Sequence, residues 1–276
     1  MKCDLHIHSI FSDGVLSPTE IVKKCSKSGL DVIAVTDHDN ADGIAEARSA
    51  AEKTQLKVLG GIELSAFEGD TEVHILGYGL DFNNPRLDAE LKKVKEMRES
   101  RNLIFISRFK ELGIDIDYER IKRENSGEVV GRSHMAQELV RQGICSSIPD
   151  AFARFLGPDG QAYVTARRLT VKQAINLVKD FGGIAVLAHP SKLRKNTAKT
   201  EAFVRQLIDF GLDGIEACYF SHTMIERDFY LYLAERYKLG VFGGSDFHSE
   251  KYGIPLGTFY CPPSETADLI LSLTEK

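Results

Sequence analysis

The chain has 276 residues, a net charge of −5 and a charged fraction of 27%. That length suffices for a sizeable core, and the scattered charges exclude the continuous basic surface that long duplex DNA requires. Five cysteines, odd in number and without a C-x-x-C pair, exclude a disulfide framework and indicate reduced thiols in the cytoplasm.

The first strand-like run, "CDLHIHS", starts at residue 3, so no cleaved leader is expected. It ends in His6 and His8, and Asp13 follows in the loop. Ser17-Pro18-Thr19-Glu20 then reads as a capping box, opening a helix that Gly29 terminates. The second run, "DVIAVTDHD", ends in Asp37, His38 and Asp39. The third, "KVLGGIELS", carries Glu63 at its end, and the fourth, "EVHILGYGL", contains His74.

From about Pro85 to Tyr163 there is no convincing strand. A long charged helix pattern, "RLDAELKKVKEMRESRNLIFISRFKELG", leads into "YERIKREN", "GRSHMAQELVRQG" and "IPDAFARFLG". This block predicts a helical insertion at 85–163, a lid between barrel segments 1–84 and 164–276. The rhythm resumes with a capping box at Thr170 and Gln173 and a helix ending at Gly182. The runs "GIAVLAHP", "DGIEACYFS" and "LGVFGGSDFH" follow, bringing His189, Asp246 and His248. Apolar strands alternating with amphipathic helices predict a mainly parallel sheet covered by helices. No apolar run nears ~20 residues, so no membrane span is expected.

Side chains at i and i+2 of a strand point the same way, about 6.6 Å apart, so His6 and His8 can serve one ion. Any one of these histidines alone reads as readily as an ordinary core or surface residue. Six of them on strand-like runs, with carboxylates close by and mostly at C-terminal ends, point to a metal centre where parallel barrels carry their active sites. Imidazole mixed with carboxylate suits zinc, iron or manganese. His6, His8, Asp13, His38, Glu63, His74, His189, Asp246 and His248 are too many for one ion. With Glu63 bridging two ions, they supply roughly three ligands to each of three divalent metals, leaving positions open for water and substrate.

At these residues the chain resembles a known family. "HIHSIFSDG", "TDHD", "GIELS", "VHILGY", "AHP" and "GSDFH" are similar to the successive motifs of the PHP (polymerase and histidinol phosphatase) family, across nearly the whole chain outside the insertion. The resemblance implies an α/β fold, a distorted seven-stranded (β/α) TIM-like barrel with a trinuclear site that hydrolyses phosphoesters. The length, the insertion and "VVGRSHMAQELV" resemble the branch of nucleoside 3′,5′-bisphosphate phosphatases and 5′-to-3′ exoribonucleases of short RNA. By that resemblance His6, His8, Glu63 and Asp246 hold one metal, Glu63, His74 and His189 a second, and Asp13, His38 and His248 a third. Asp13, His38, Glu63 and His248 are the expected catalytic residues.

Residues outside the metal set then select the substrate. Arg132 and His134 start an insertion helix, where a guanidinium and free N–H groups favour phosphate, a reading the resemblance strengthens over a solvated arginine and a surface histidine. Lys192 and Arg194 follow His189 and suit either a second phosphate or an ordinary charged loop. His222 in "YFSHT" reads as a proton donor, a phosphate contact or a loop residue. Asp37 and Asp39 suit support of a ligand imidazole, with helix capping equally open to Asp39. Arg98 and Arg101 read as a solvated helix face, and Arg167 and Arg168 are ambiguous. Cys218 reads as a core thiol, with Tyr219 and Phe220 as packing aromatics. The expected partner is a nucleotide or short oligonucleotide, with no obligate protein partner. A small-metabolite phosphatase acting on histidinol phosphate, or a metal-binding module without catalysis, are the competing readings.

Overall fold

A computed structural model describes residues 1–125, 129–164, 168–193, 195–250 and 254–275. β1 (Cys3–Ile7), buried at every position, pairs in parallel with β2 (Val32–Val35), and β2 pairs in parallel with β3 (Lys57–Glu68). β4 (Thr71–Tyr78) returns alongside β3 in the antiparallel sense. A two-residue β5 (Leu169–Thr170) adds to the far end of β3. β6 (Ile184–Leu187), β7 (Gly214–Tyr219) and β8 (Gly240–Gly244) complete the order β1-β2-β3-β4-β6-β7-β8.

The sheet nearly closes on itself. Beyond β8, Asp246 N–H donates to His6 O at 2.8 Å and His8 N–H donates to Phe247 O at 2.9 Å. Closure demands a close backbone approach at Gly244, where an added Cβ would lie 2.4 Å from His6 Cβ. Only glycine fits there.

All seven expected runs form strands of this barrel, but β4 departs from the parallel pattern. β3 and β4 are joined by only Gly69 and Asp70, with Gly69 at φ +57°. So short a link permits only a hairpin, since a parallel crossover needs a dozen or more residues. β4 therefore runs against both β3 and β6. His74, early in β4, thereby arrives at the rim that its parallel neighbours reach at their C-terminal ends.

Helices cover the outside. α1 (Pro18–Lys27) has the expected Ser17–Glu20 capping box, and Gly29 follows at φ +70°. α2 (Gly43–Ala51) packs beside it, their apolar faces meeting Ile33, Val35 and Val58 of the sheet. α3 (Pro85–Glu111), α4 (Tyr118–Glu124), α5 (Arg132–Arg141), α6 (Ile148–Ala151) and a π-helical turn (Phe152–Leu156) follow β4 without an intervening strand among the described residues. They bury an apolar cluster of their own, including Phe105, Phe109, Met135, Leu139 and Phe155. α7 (Val171–Asp180), capped by Thr170 and Gln173, joins α8 (Thr197–Asp209) and α9 (Met224–Tyr237) on the largest core cluster. α10 (Ser264–Leu273) closes the end of the barrel opposite the histidine-bearing rim, burying Ile270 and Leu273 against Tyr78 and Phe242. Among the described residues no helix is long and apolar enough to cross a membrane.

Candidate metal centre

The strand ends bring the nine candidate ligands to one rim. Three groups have potential ligand atoms mutually within 4.8 Å: His6, His8, Glu63 and Asp246; His8, Asp13, His38 and His248; and His38, Glu63 and His74. The first group is the set expected for one ion. The second contains the Asp13, His38 and His248 set with His8 added. In the third, Glu63 and His74 meet His38, whereas His189 joins through Glu63 itself. His74 Nδ1 and His189 Nε2 lie 2.9 and 3.0 Å from Glu63 Oε1, and His38 Nδ1 lies 3.0 Å from Oε2. Glu63 is thus the hub, fully buried in the middle of β3.

The donor atoms fit a metal cluster. His6 Nε2, His8 Nε2, Asp13 Oδ1, His38 Nδ1 and Glu63 Oε2 are buried without a hydrogen-bond partner. Buried polar atoms are almost always satisfied, so five such atoms facing one another mark a place where cations complete the coordination. Backbone strain gathers at the same rim: His189, Asp246 and Asp39 all have positive φ, at 24°, 52° and 51°.

Electrostatics favours ionised carboxylates here. Burial would raise Asp13 and Glu63, but the surrounding imidazoles, led by His248 for Asp13 and His74 for Glu63, hold both well below the usual carboxylate range. Asp246 is held down likewise against burial, chiefly by Lys192 and His6. Burial lowers His38 to about 4 against the pull of Glu63 and Asp13, and burial with Lys192 lowers His189 to about 4. Neutral imidazole is the form that ligates. At His6 and His8 burial is outweighed by the neighbouring carboxylates, which raise the imidazoles, His8 to about 9, holding a proton that a bound cation would displace.

Support for the ligands differs from the expectation for the aspartates flanking His38. Asp37 touches no imidazole: it accepts from Ser9 N–H, Ser9 Oγ and Ser12 Oγ at 2.8, 2.6 and 2.5 Å. Ser12 Oγ in turn lies 3.4 Å from His8 Nδ1. Asp39 caps no helix; it accepts from Ser65 N–H at 2.8 Å and takes both Nε and Nη2 of Arg98.

A cavity of about 810 Å³ opens beside Asp13, His38, His74 and His189, walled by Arg98, Arg101, Arg132 and Lys192. Arg98 and Arg101 do not form the expected solvated face. Arg98 is clamped by Asp39 and Ser65, and Arg101 is 6% exposed with its Nε lacking a partner. Their burial was legible: Leu87, Leu91, Val94, Arg98, Arg101, Phe105 and Phe109 follow one another at i+3 or i+4, so both arginines lie on the buried stripe of α3. Arg132 pairs with Glu72 and lies over the Phe152 ring at 5.5 Å. Lys192 Nζ donates to Asp246 Oδ2 at 2.5 Å.

Other expected contacts sit elsewhere. His134 Nδ1 accepts Gly131 N–H at 3.0 Å, capping α5, and its ring borders a separate cleft beside Glu138. His222 packs between Tyr219 and Tyr230, with Nδ1 3.2 Å from Ala217 O. Arg168 stacks on Phe67 at 3.9 Å. Arg167 and Arg194 lie outside the described residues. Cys218 is half-buried, and Tyr219, buried beside it, points its hydroxyl to Asp246 Oδ2 at 3.3 Å. Sequence reasoning missed Ser133, Glu72 and Glu216. The last carried a signal, being a lone carboxylate within the apolar run "DGIEACYFS".

Comparison with known proteins points the same way. A family model described as the PHP domain matches residues 4–180. A 5′-3′ exoribonuclease of Haemophilus influenzae is 38% identical over 260 residues, covering 93% of each chain. A 3′,5′-nucleoside bisphosphate phosphatase of Chromobacterium violaceum is 32% identical over 91% of this chain and 88% of its own length. The solved structure of a Chromobacterium violaceum amidohydrolase with bound sulfate superposes with a TM-score of 0.90 at 30% identity, covering 99% of this chain and 97% of that one.

Proposed function

We propose that this chain, which belongs to the PHP family and is a metal-dependent phosphoesterase, removes the 3′-phosphate of nucleoside 3′,5′-bisphosphates and trims short RNA from its 5′ end. The observation that carries the reading is the cavity where four cationic side chains, Arg98, Arg101, Arg132 and Lys192, face the histidine and carboxylate cluster. Arg101 has no carboxylate partner among the described residues, and Arg132 and Lys192 can exchange Glu72 and Asp246 for phosphate oxygens, which suits a compact substrate bearing more than one phosphate.

In this reading the sets given above would hold three divalent ions, manganese, iron or zinc, which would supply Lewis acidity and a water of lowered pKa. The chain's own residues do the rest. Arg132 and Lys192 turn from Glu72 and Asp246 to phosphate oxygens, the guanidinium offering two parallel N–H donors. Arg98, braced by Asp39, sets the wall of the cavity next to His38. Residues 85–163 act as a lid over segments 1–84 and 164–276, narrowing the approach against duplexes. The free cysteines support a cytoplasmic location.

The test is phosphate release from adenosine 3′,5′-bisphosphate and histidinol phosphate, and nucleoside 5′-monophosphate release from a 5′-phosphorylated pentaribonucleotide, with manganese present. Preference for the nucleotides is expected. Preference for histidinol phosphate would overturn the reading.

A further inference from the structure

We infer that Glu216, outside the candidate ligand set, is the positioning residue that locks His6 and His189 into ligating geometry. The inference rests on the metal-centre reading above. Glu216 lies in β7 and is fully buried. Its Oε1 lies 3.1 Å from His6 Nδ1, and its Oε2 accepts His189 N–H at 2.7 Å.

The geometry has two consequences. An ionised carboxylate only accepts hydrogen bonds, so His6 Nδ1 must carry the hydrogen it offers. That leaves Nε2, 3.3 and 3.4 Å from Glu63 Oε1 and Asp246 Oδ1, as the nitrogen whose lone pair would serve an ion. His6 is thus held in the one tautomer and ring orientation that ligates from the side where the other donors converge. Meanwhile Oε2 grips the backbone of His189, which sits at φ +24°, a strained conformation that persists only when its surroundings impose it. One side chain therefore aligns two ligands from separate strands, and both aim at Glu63.

Stability alone is a poor reason for this carboxylate. Among the described residues no lysine or arginine pairs with it, and burying a charge without a cation is costly where an apolar residue would pack without that cost. Positive charge at the metal centre, relayed through the His6 ring, supplies the missing compensation.

The experiment compares wild type, Glu216→Gln and Glu216→Ala after chelation. Apo-protein melting reports the fold, titration with manganese against a competing chelator reports affinity and stoichiometry, and the visible spectrum of the cobalt-loaded protein reports ligand geometry. Glu216→Ala is expected to weaken the tightest ion about 10- to 100-fold and shift the cobalt bands. Glu216→Gln should fall between, because its amide oxygen still accepts from His6 while its NH₂ opposes His189 N–H. If the alanine variant does not fold, the glutamine variant decides. Native apo melting with affinity and cobalt spectrum unchanged overturns the role of Glu216. Wild-type protein that takes up no ion overturns the metal-centre reading, and this inference falls with it.

Discussion

Ser133 Oγ donates to Asp13 Oδ2 at 2.5 Å, tying the first turn of α5 to the loop after β1 although 120 positions separate them. This leaves Asp13 Oδ1, buried and without a hydrogen bond, directed at the cluster. Ser133→Ala should leave the fold intact and lower turnover about tenfold, because Asp13 loses the donor that orients it. Steady-state kinetics with metal at saturation checks this, and an unchanged kcat would make the contact incidental.

Asp13 and His248 meet at 3.2 Å and belong to the group that also contains His38. Asp13→Ala and His248→Ala are expected to abolish phosphoester turnover, a loss of at least about 100-fold, while circular dichroism stays native. Metal-loaded variants with wild-type turnover would remove this group from the chemistry.

Arg132 is largely buried at the cavity wall, where a phosphate can replace Glu72 as its partner. Arg132→Ala should cost about 2–5 kcal/mol in kcat/KM for a nucleoside bisphosphate, the penalty for truncating one side of a buried charge pair. A change confined to thermal stability would instead assign Arg132 to the Glu72 contact alone.

Acid stability should carry the signature of Glu138 in α5. Hydrogen bonds from Arg141, with help from Gln142 and Arg120, hold its carboxyl at about 2, below the ordinary 4.5. The folded chain therefore binds fewer protons than the unfolded chain between those values. The associated stability is present above about pH 4.5 and is lost as pH falls toward 2. Glu138→Gln should flatten that part of the melting profile, by on the order of 1–2 kcal/mol once solvent screening of the exposed Arg141 is counted.

Gly244→Ala should damage both fold and site, since the new methyl would press on His6 at the closure of the barrel. Destabilisation of about 1–3 kcal/mol is expected from overpacking, along with weaker metal uptake. Thermal melting and chelator competition measure the two effects separately.

Much of this architecture was legible in the chain. Short continuous apolar runs and capping boxes located the strands and helices, because these are local properties. Even the reversal of β4 had a cue in the two-residue "GD" link between β-rich runs. The arginines of α3 read as solvated by charge alone, but their spacing places them on an otherwise apolar stripe, and the fold buries them there. Asp37 reads in the sequence as support for an imidazole, whereas the fold makes it the anchor of Ser9 and Ser12, partners from the segment after another strand that no local pattern supplies.

By itself the sequence determined which chemistry was available, namely imidazole and carboxylate at strand ends, because residue type sets donor character and the strand repeat sets the face. The tertiary structure alone decided which donors share a neighbourhood: Glu63 with His189, Asp13 with Ser133, His6 with Glu216. Those pairs are separated by 126, 120 and 210 positions. Their meeting depends on closure of the sheet and reversal of one strand, which only the whole folded chain imposes.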